Sequence, residues 1–230
     1  VYITEDDVKH LSYHDENQTA LKYGSTISSS WDIASSTIIT GTNTGLKPRI
    51  WIDYSNTLKI AYKDQANSLF KLATKSGGNW SSEDLLGISS EYDPSVYITE
   101  DDVKHLSYHD ENQTSLKYGG SIFSTWQISD PINLAEGNAG LQLDMIMTPG
   151  NILNIAYFDE VQTNLHYLTY HEENGEPEIT HDIIPDPLGS SNYGENPSLA
   201  FSPYGDIGFS YYERANQVLH IAAIASEFNI

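Results

Sequence analysis

Residues 1–33 read VYITEDDVKHLSYHDENQTALKYGSTISSSWDI, and residues 96–128 read VYITEDDVKHLSYHDENQTSLKYGGSIFSTWQI. The first nineteen residues of the two stretches are identical. Inside this long duplication lies a shorter unit. Its mark is a Tyr, an acidic residue two later, and apolar residues eight and ten later. Tyr13, Asp15, Leu21 and Tyr23 are followed by Tyr62, Asp64, Phe70 and Leu72. Tyr108, Asp110, Leu116 and Tyr118 come next, then Tyr157, Asp159, Leu165 and Tyr167, and last Tyr211, Glu213, Leu219 and Ile221. The five anchor tyrosines are spaced by 49, 46, 49 and 54 residues. A fixed period of this size is the sequence signature of a propeller or a solenoid.

Each copy reads as strands. KHLSY and KIAYK alternate polar and apolar residues with period two, and Ser55-Asn56, Pro149-Gly150-Asn151 and Tyr204-Gly205-Asp206 punctuate them as turns. The residue before the anchor Tyr is always small (Ser12, Ala61, Ser107, Ala156, Ser210), which implies close approach of a neighbouring sheet. No amphipathic helix with a capping residue is found. One copy resolves into SVYITE, KHLSYHD, TSLKYGG and STWQIS, four short antiparallel strands. The expected fold class is therefore all-β, a β-propeller of five blades with four antiparallel strands each, about 46–54 residues per blade. A single domain over residues 1–230 is expected, with blades at about 1–44, 45–93, 94–139, 140–196 and 197–230. The terminal ASEFNI supplies the outer strand of blade five. The stretch HEENGEPEITHDIIPDPLGSSNYGEN in blade four reads as the most irregular loop, with a hairpin turn at Asn174-Gly175.

The chain carries 32 acidic against 11 basic residues, a formal net charge of −21. Phosphate contacts need clustered Lys and Arg, so a nucleic-acid partner is disfavoured. No apolar run is long enough to span a membrane, so no membrane insertion is expected. There is no cysteine, which excludes disulfides and thiol chemistry. The sequence begins at Val1 with neither Met nor a signal-like segment, as a mature or excised portion of a longer protein would. No cofactor is implied; calcium is the one ion that the acidic composition leaves open.

PSLAFSPYGDIGFSYYERANQVLHIAA (197–223) and LKIAYKDQANSLFKLATKSGGNWSSEDLLG (58–87) resemble a propeller repeat common in secreted and cell-surface proteins of bacteria and archaea. The pattern is Pro-Ser-Leu-Ala, a Gly turn, Ile-Ser-Tyr-Tyr-Asp, Leu-Lys-Tyr-Ala, then Trp. It is also similar to sialidase-like and lectin-like repeat propellers, although their Ser-x-Asp-x-Gly-x-x-Trp box is absent. The resemblance implies a propeller outside the cytoplasm, extracellular or on the cell surface. It transfers no catalytic residue.

Candidate chemistry is sparse. Glu5-Asp6-Asp7 and Glu100-Asp101-Asp102 have the paired acids of a glycosidase, but they align with hairpin tips in the other blades. His10 and His14, like His105 and His109, lie on one strand face about 13 Å apart, too far for one metal. They align with Lys59 and Lys63, which reads as a polar, partly exposed column. The anchor acids recur in every blade, as expected of side chains that cap a turn. Trp31, Trp80 and Trp126 recur at the outer strand, where an aromatic ring stacks a sugar or packs between blades. Trp51 has no counterpart. The ligand-binding candidates are thus Trp31, Trp80, Trp126, Trp51, His10 and His105, with no catalytic or metal residue. Asn17-Gln18-Thr19, Asn79-Trp80-Ser81 and Asn112-Gln113-Thr114 are glycosylation sequons.

These features give a leading expectation of a non-enzymatic propeller module outside the cytoplasm that binds a glycan or protein ligand. The alternatives are a repeat lectin with several equivalent sugar sites and a carbohydrate-active enzyme using the central funnel. The central-funnel enzyme predicts at least two inner-strand carboxylates that converge at one mouth of the channel.

Overall fold

The period-two segments around each anchor Tyr form the second strand of five antiparallel sheets. The computed structural model describes residues 2–4, 7–26, 37–53, 55–86, 94–99, 103–110, 112–121, 132–148, 150–173, 176–184, 193–201 and 206–224. The sheets run in chain order as a simple meander. The first holds β1 (Tyr2–Ile3), β2 (Lys9–Asp15), β3 (Ala20–Ser25) and β4 (Thr37–Ile38). The second holds β5 (Thr44–Ile52), β6 (Leu58–Asp64), β7 (Leu69–Ser76) and β8 (Asn79–Leu86). The third holds β9 (Ser95–Ile98), β10 (Lys104–Asp110), β11 (Ser115–Ser121) and β12 (Ile132–Glu136). The fourth holds β13 (Ala139–Met147), β14 (Leu153–Asp159), β15 (Asn164–Glu173) and β16 (Glu176–Ile183). The fifth holds β17 (Tyr193–Phe201), β18 (Ile207–Glu213) and β19 (Val218–Ile224). The fold class is all-β, a five-bladed β-propeller.

Three expectations shift. STWQIS and its blade-one counterpart lie outside the described residues, and the strands that pair with β3 and β11 come later, at β4 and β12. ASEFNI also lies outside them, so three strands of blade five are described. Within the stretch read as an irregular loop in blade four, 171–173, 176–183 and 193–196 are strand, whereas Asn174-Gly175 and 185–192 lie outside the described residues. Glu173 pairs with Glu176 on either side of Asn174-Gly175, which extends β15 and β16.

The chain divides into two compact units. The first is Val1–Ser89 with Ile98–Lys104 and Ser121–Ser129; the second is Ser90–Tyr97, His105–Gly120 and Asp130–Ile230. In the first, Leu21, Tyr23, Leu58, Ile60, Tyr62 and Ala73 form one apolar cluster, with Trp80 packed on it. In the second, Leu116 and Tyr118 of blade three pack with Leu143, Met145, Leu153, Ile155 and Tyr157 of blade four. Leu165 and Tyr167 of blade four pack with Leu199, Ile207, Phe209 and Tyr211 of blade five.

One contact between successive blades recurs three times. Gly45, Gly140 and Gly194, all with positive φ, lie against Leu21, Leu116 and Leu165 of the blade before. A Cβ built on Gly194 would stand 2.4 Å from the Leu165 Cβ, so a side chain has no room there. Backbone bonds run beside it: Thr44 N–H donates to the Thr19 carbonyl, Asn138 N–H to Thr114 and Tyr193 N–H to Thr163. Those three threonines close the turn after the anchor acid, with φ of 47°, 49° and 54°. The second unit ends on a bare face: Leu219 and Ile221, which correspond to the buried pairs of the other blades, are 65% and 81% exposed.

The anchor acids cap turns, as read from the sequence. Asp15 Oδ1 accepts from the amides of Asn17 and Gln18, Asp110 Oδ1 from Asn112 and Gln113, and Asp159 Oδ1 from Val161 and Gln162. At the opposite end of each strand pair, Asp7, Asn56 and Asn151 adopt positive φ at hairpin tips. The amides of Val8, Thr57 and Ile152 are accepted there by Thr4, Asp53 and Thr148 side chains. The paired acids before Asp7 and at 100–102 lie outside the described residues.

Candidate functional site

Seven residues after each anchor acid the sequence places a base, and the cross-strand register brings the two together. Lys22 Nζ stands 2.6 Å from Asp15 Oδ2, and Lys71 Nζ stands 3.7 Å from Asp64 Oδ2. In blade three, Lys117 Nζ turns to Gln113 Oε1 at 2.6 Å. Blades four and five replace the lysine by histidine: His166 Nε2 is 3.8 Å from Asp159 Oδ2, and His220 Nε2 is 2.8 Å from Glu213 Oε2. Each imidazole stacks on its anchor ring, Tyr157 at 5.2 Å and Tyr211 at 4.9 Å between centroids. A flat ring fits against the Tyr where a flexible lysine stem would otherwise lie.

In blade four this exchange opens onto a groove of about 560 Å³ in the second unit. Its floor is Tyr157 and Asp159 of β14, with His166 of β15. One wall is Asn133 and Glu136 of β12 in blade three; the other is His181 and Asp182 of β16. Gln162, from the turn after Asp159, closes one end. Such a volume lies in the range of small-ligand clefts.

The acids of the groove sit in unlike surroundings. Asp159 is 4% exposed and held by two backbone amides, whereas Glu136 and Asp182 are exposed. His166 is 6% exposed, and its Nε2 is buried with no hydrogen-bond partner. Burial pulls its pKa below the usual histidine range, Asp159 opposes this, and His181 adds to it. Burial pushes the Tyr157 hydroxyl strongly up, aided by Asp159, and holds the Tyr167 hydroxyl at about 12, aided by Asp182. The arrangement supplies exposed carboxylates to accept hydroxyl hydrogen bonds and side-chain amides to donate them. Carboxylates in different environments are also what acid–base chemistry on a glycosidic bond requires.

Three of the sequence candidates occupy packed positions. His10 Nδ1 lies 2.8 Å from the Tyr23 hydroxyl, and its twin His105 lies 2.7 Å from Tyr118. The i+4 histidines join successive blades: His14 Nδ1 donates to the Thr44 carbonyl at 3.0 Å, and His109 Nδ1 to Ala139 at 2.7 Å. The reading of a partly exposed column fails in blade three, where His105 and His109 are 8% and 2% exposed. Burial of these rings follows from the blade-to-blade bond that each pair frames. Trp80 meets Tyr23 edge-on at 5.3 Å, with Lys75 Nζ over the Tyr23 ring at 4.6 Å. Trp51 is half-buried on β5, and its indole N–H has no hydrogen-bond partner. Trp31 and Trp126 lie outside the described residues. None of the six lines the groove among the described residues. His166 and His181 are not among the candidates that the sequence alone singled out. The signal that marks His166 is its column, where three blades carry Lys.

The inner strands do not bring two free carboxylates together within the second unit. Asp144 of β13 is 7% exposed and accepts from the amides of Met145 and Leu199 and the hydroxyls of Ser95 and Ser198, at 2.9–3.3 Å. It ties β9, β13 and β17 together. Glu195 of β17 pairs with Arg214 at 2.8 Å beside a smaller hollow of about 280 Å³. Among the described residues, no group of three or more His or acidic side chains is placed to hold a metal ion, calcium included. No described helix is long and apolar enough to cross a membrane.

No family model matches the sequence, and no curated protein matches it. Solved structures match the fold. AofleA from Arthrobotrys oligospora has a TM-score of 0.66 at 11% identity, over 95% of this chain and 66% of that one. An α-L-arabinofuranosidase from Clostridium thermocellum has a TM-score of 0.55 at 12% identity, over 91% and 80%. An exo-β-1,3-galactanase from Phanerochaete chrysosporium, solved with galactose, has 0.59 at 11%, over 99% and 60%. A microbial sialidase matches as well, which agrees at fold level with the sialidase-like resemblance. The chain thus spans about two thirds of AofleA and less of the galactanase. The expectation of a non-enzymatic binding module is corrected by these comparisons, since the arabinofuranosidase, the galactanase and the sialidase are carbohydrate-cleaving enzymes. Regular blades and the lack of a familiar motif had favoured the module, and neither bears on a site assembled across several strands.

Proposed function

We propose that the chain is a carbohydrate-active propeller enzyme that binds and hydrolyses a glycan in the blade-four groove. The observation that carries this is the groove's set of unlike carboxylates: Asp159 is buried beside the His166 imidazole, and Asp182 and Glu136 are open to solvent. Hydrolysis of a glycosidic bond uses two carboxyl groups, one protonated and one ionised, and different burial separates such roles. Neighbours of the same fold that act on carbohydrate support the reading, and one of them is solved with β-1,3-galactotriose. The site lies away from the inner strands, because the best-placed inner carboxylate, Asp144, is already engaged by four donors. A set of equivalent lectin sites is less well supported, since the groove histidine is lysine in three blades. We propose further that this acidic propeller acts outside the cytoplasm, as one domain.

Reducing-end release from arabinan, galactan, glucan and xylan tests the assignment. Wild type is expected to cleave at least one, and Asp159→Asn and Asp182→Asn are each expected to lower the rate at least about a hundredfold. Cleavage of none, or full activity in both variants, overturns it.

A further inference from the structure

The groove also carries information about what it refuses. Among the described residues its lining includes the carboxylates of Glu136, Asp159 and Asp182, the imidazoles of His166 and His181, and no lysine or arginine. The one base at its floor, His166, is nine-tenths buried, and burial favours its uncharged form. His166 lines the groove, and its buried Nε2, 3.8 Å from Asp159 Oδ2, has no hydrogen-bond partner. We propose that the site selects uncharged glycans and rejects those bearing carboxylate or sulfate groups; this rests on the groove being the glycan site.

The physics is local and then global. An anionic sugar group in the groove would be taken out of water beside Asp159, itself 4% exposed, with no cation to pair it. Recognition of carboxylate or sulfate calls for a guanidinium fork or an ammonium, and neither lines the groove. The formal net charge of −21 adds a longer-range repulsion, which salt screens over about 8–10 Å. Hydroxyl groups suit the lining instead. The exposed carboxylates of Glu136 and Asp182 accept their hydrogens, and the amides of Asn133 and Gln162, which already donate to Glu136 and Asp159, each keep a second N–H for their oxygens. The buried, unpartnered His166 is what separates this groove from a merely acidic surface patch.

Calorimetric titration of the full chain with matched pairs tests the proposal. The pairs are galacto-oligosaccharides against galacturonides, gluco-oligosaccharides against glucuronides, and lactose against sialyllactose. At least one uncharged member is expected to bind at least about tenfold tighter than its anionic partner, at low salt and in 0.5 M NaCl alike. Asp159→Asn with Asp182→Asn is expected to narrow that gap by tightening the anionic partner. Equal or tighter binding of the anionic members overturns the selectivity and leaves the glycan site standing. A gap that vanishes in 0.5 M NaCl overturns it too, because the rejection would then be a surface effect. Binding of no pair member overturns the glycan site itself and the selectivity with it.

Discussion

His166 Nε2 stands 3.8 Å from Asp159 Oδ2, at the position where blade one sets Lys22 Nζ 2.6 Å from Asp15 Oδ2. The lysine pair is a permanent ion pair, and the hydrogen bond from Lys22 holds Asp15 below the usual carboxylate range. The histidine pair is not permanent. Burial lowers the His166 pKa from the ordinary 6.5, so the unfolded chain binds this proton more readily than the folded one. The contribution is therefore neutral above about pH 6.5 and becomes destabilising as the pH falls from there toward the lowered value. Urea midpoints at pH 7.5 and 5.5 read this directly. Wild type is expected to lose more stability over that interval than His166→Phe, and parallel pH profiles would refute the assignment.

Asp144 supports a second prediction. Its carboxylate gathers four donors from three inner strands while 7% exposed. Asp144→Ala leaves these donors unsatisfied and is expected to cost about 3–5 kcal/mol. Asp144→Asn keeps one acceptor and is expected to cost less. Equilibrium denaturation of both variants measures the difference, and a loss under about 1 kcal/mol in Asp144→Ala would show that the bonds are dispensable.

Two glycines with positive φ separate backbone strain from packing. Gly77, at the β7–β8 turn, has φ +56° and nothing within 4 Å of an added Cβ. Gly194 has φ +103°, and the same addition meets Leu165 at 2.4 Å and its backbone at 2.7 Å. Gly77→Ala is expected to cost about 1 kcal/mol, from conformation alone. Gly194→Ala adds a clash that cannot be relieved by a rotamer change and is expected to cost at least about 3 kcal/mol. Equal losses in thermal unfolding would mean that the Leu165 contact yields freely.

The fold was legible because one column repeats five times. The anchor Tyr, the acid and the two apolar residues recur in every blade, so the period exposes them, and in blades one, three and four the acid's turn role follows from its place just before the turn that ends in Asn-Gln or Val-Gln. The partners of His10 and His105 were also present in the sequence. Thirteen residues on stand Tyr23 and Tyr118, and where blade four has Tyr167 its partner is Asn154, whose Oδ1 accepts from the Tyr167 hydroxyl at 2.5 Å. The groove was not legible in this way. It joins β12 of one blade to β14, β15 and β16 of the next, and its residues share no spacing. Only the change from Lys to His at position 166 marks it, and that becomes visible once the blades are aligned. In the Trp column, Trp80 packs between blades against Tyr23 of the blade before it, one of the two roles its spacing implied.

The hairpins β2–β3 and β10–β11 carry one docking key. His14 donates to Thr44, which is followed by Gly45; His109 donates to Ala139, which is followed by Gly140. Both acceptors are main-chain carbonyls, so nothing in these bonds tells one hairpin from its twin. What does tell them apart is the apolar core each one meets: Tyr23 packs with Ile60, Tyr62 and Trp80, and Tyr118 with Met145, Leu153 and Tyr170. Nineteen residues copied without change thus leave the choice of neighbour to the strands that receive them.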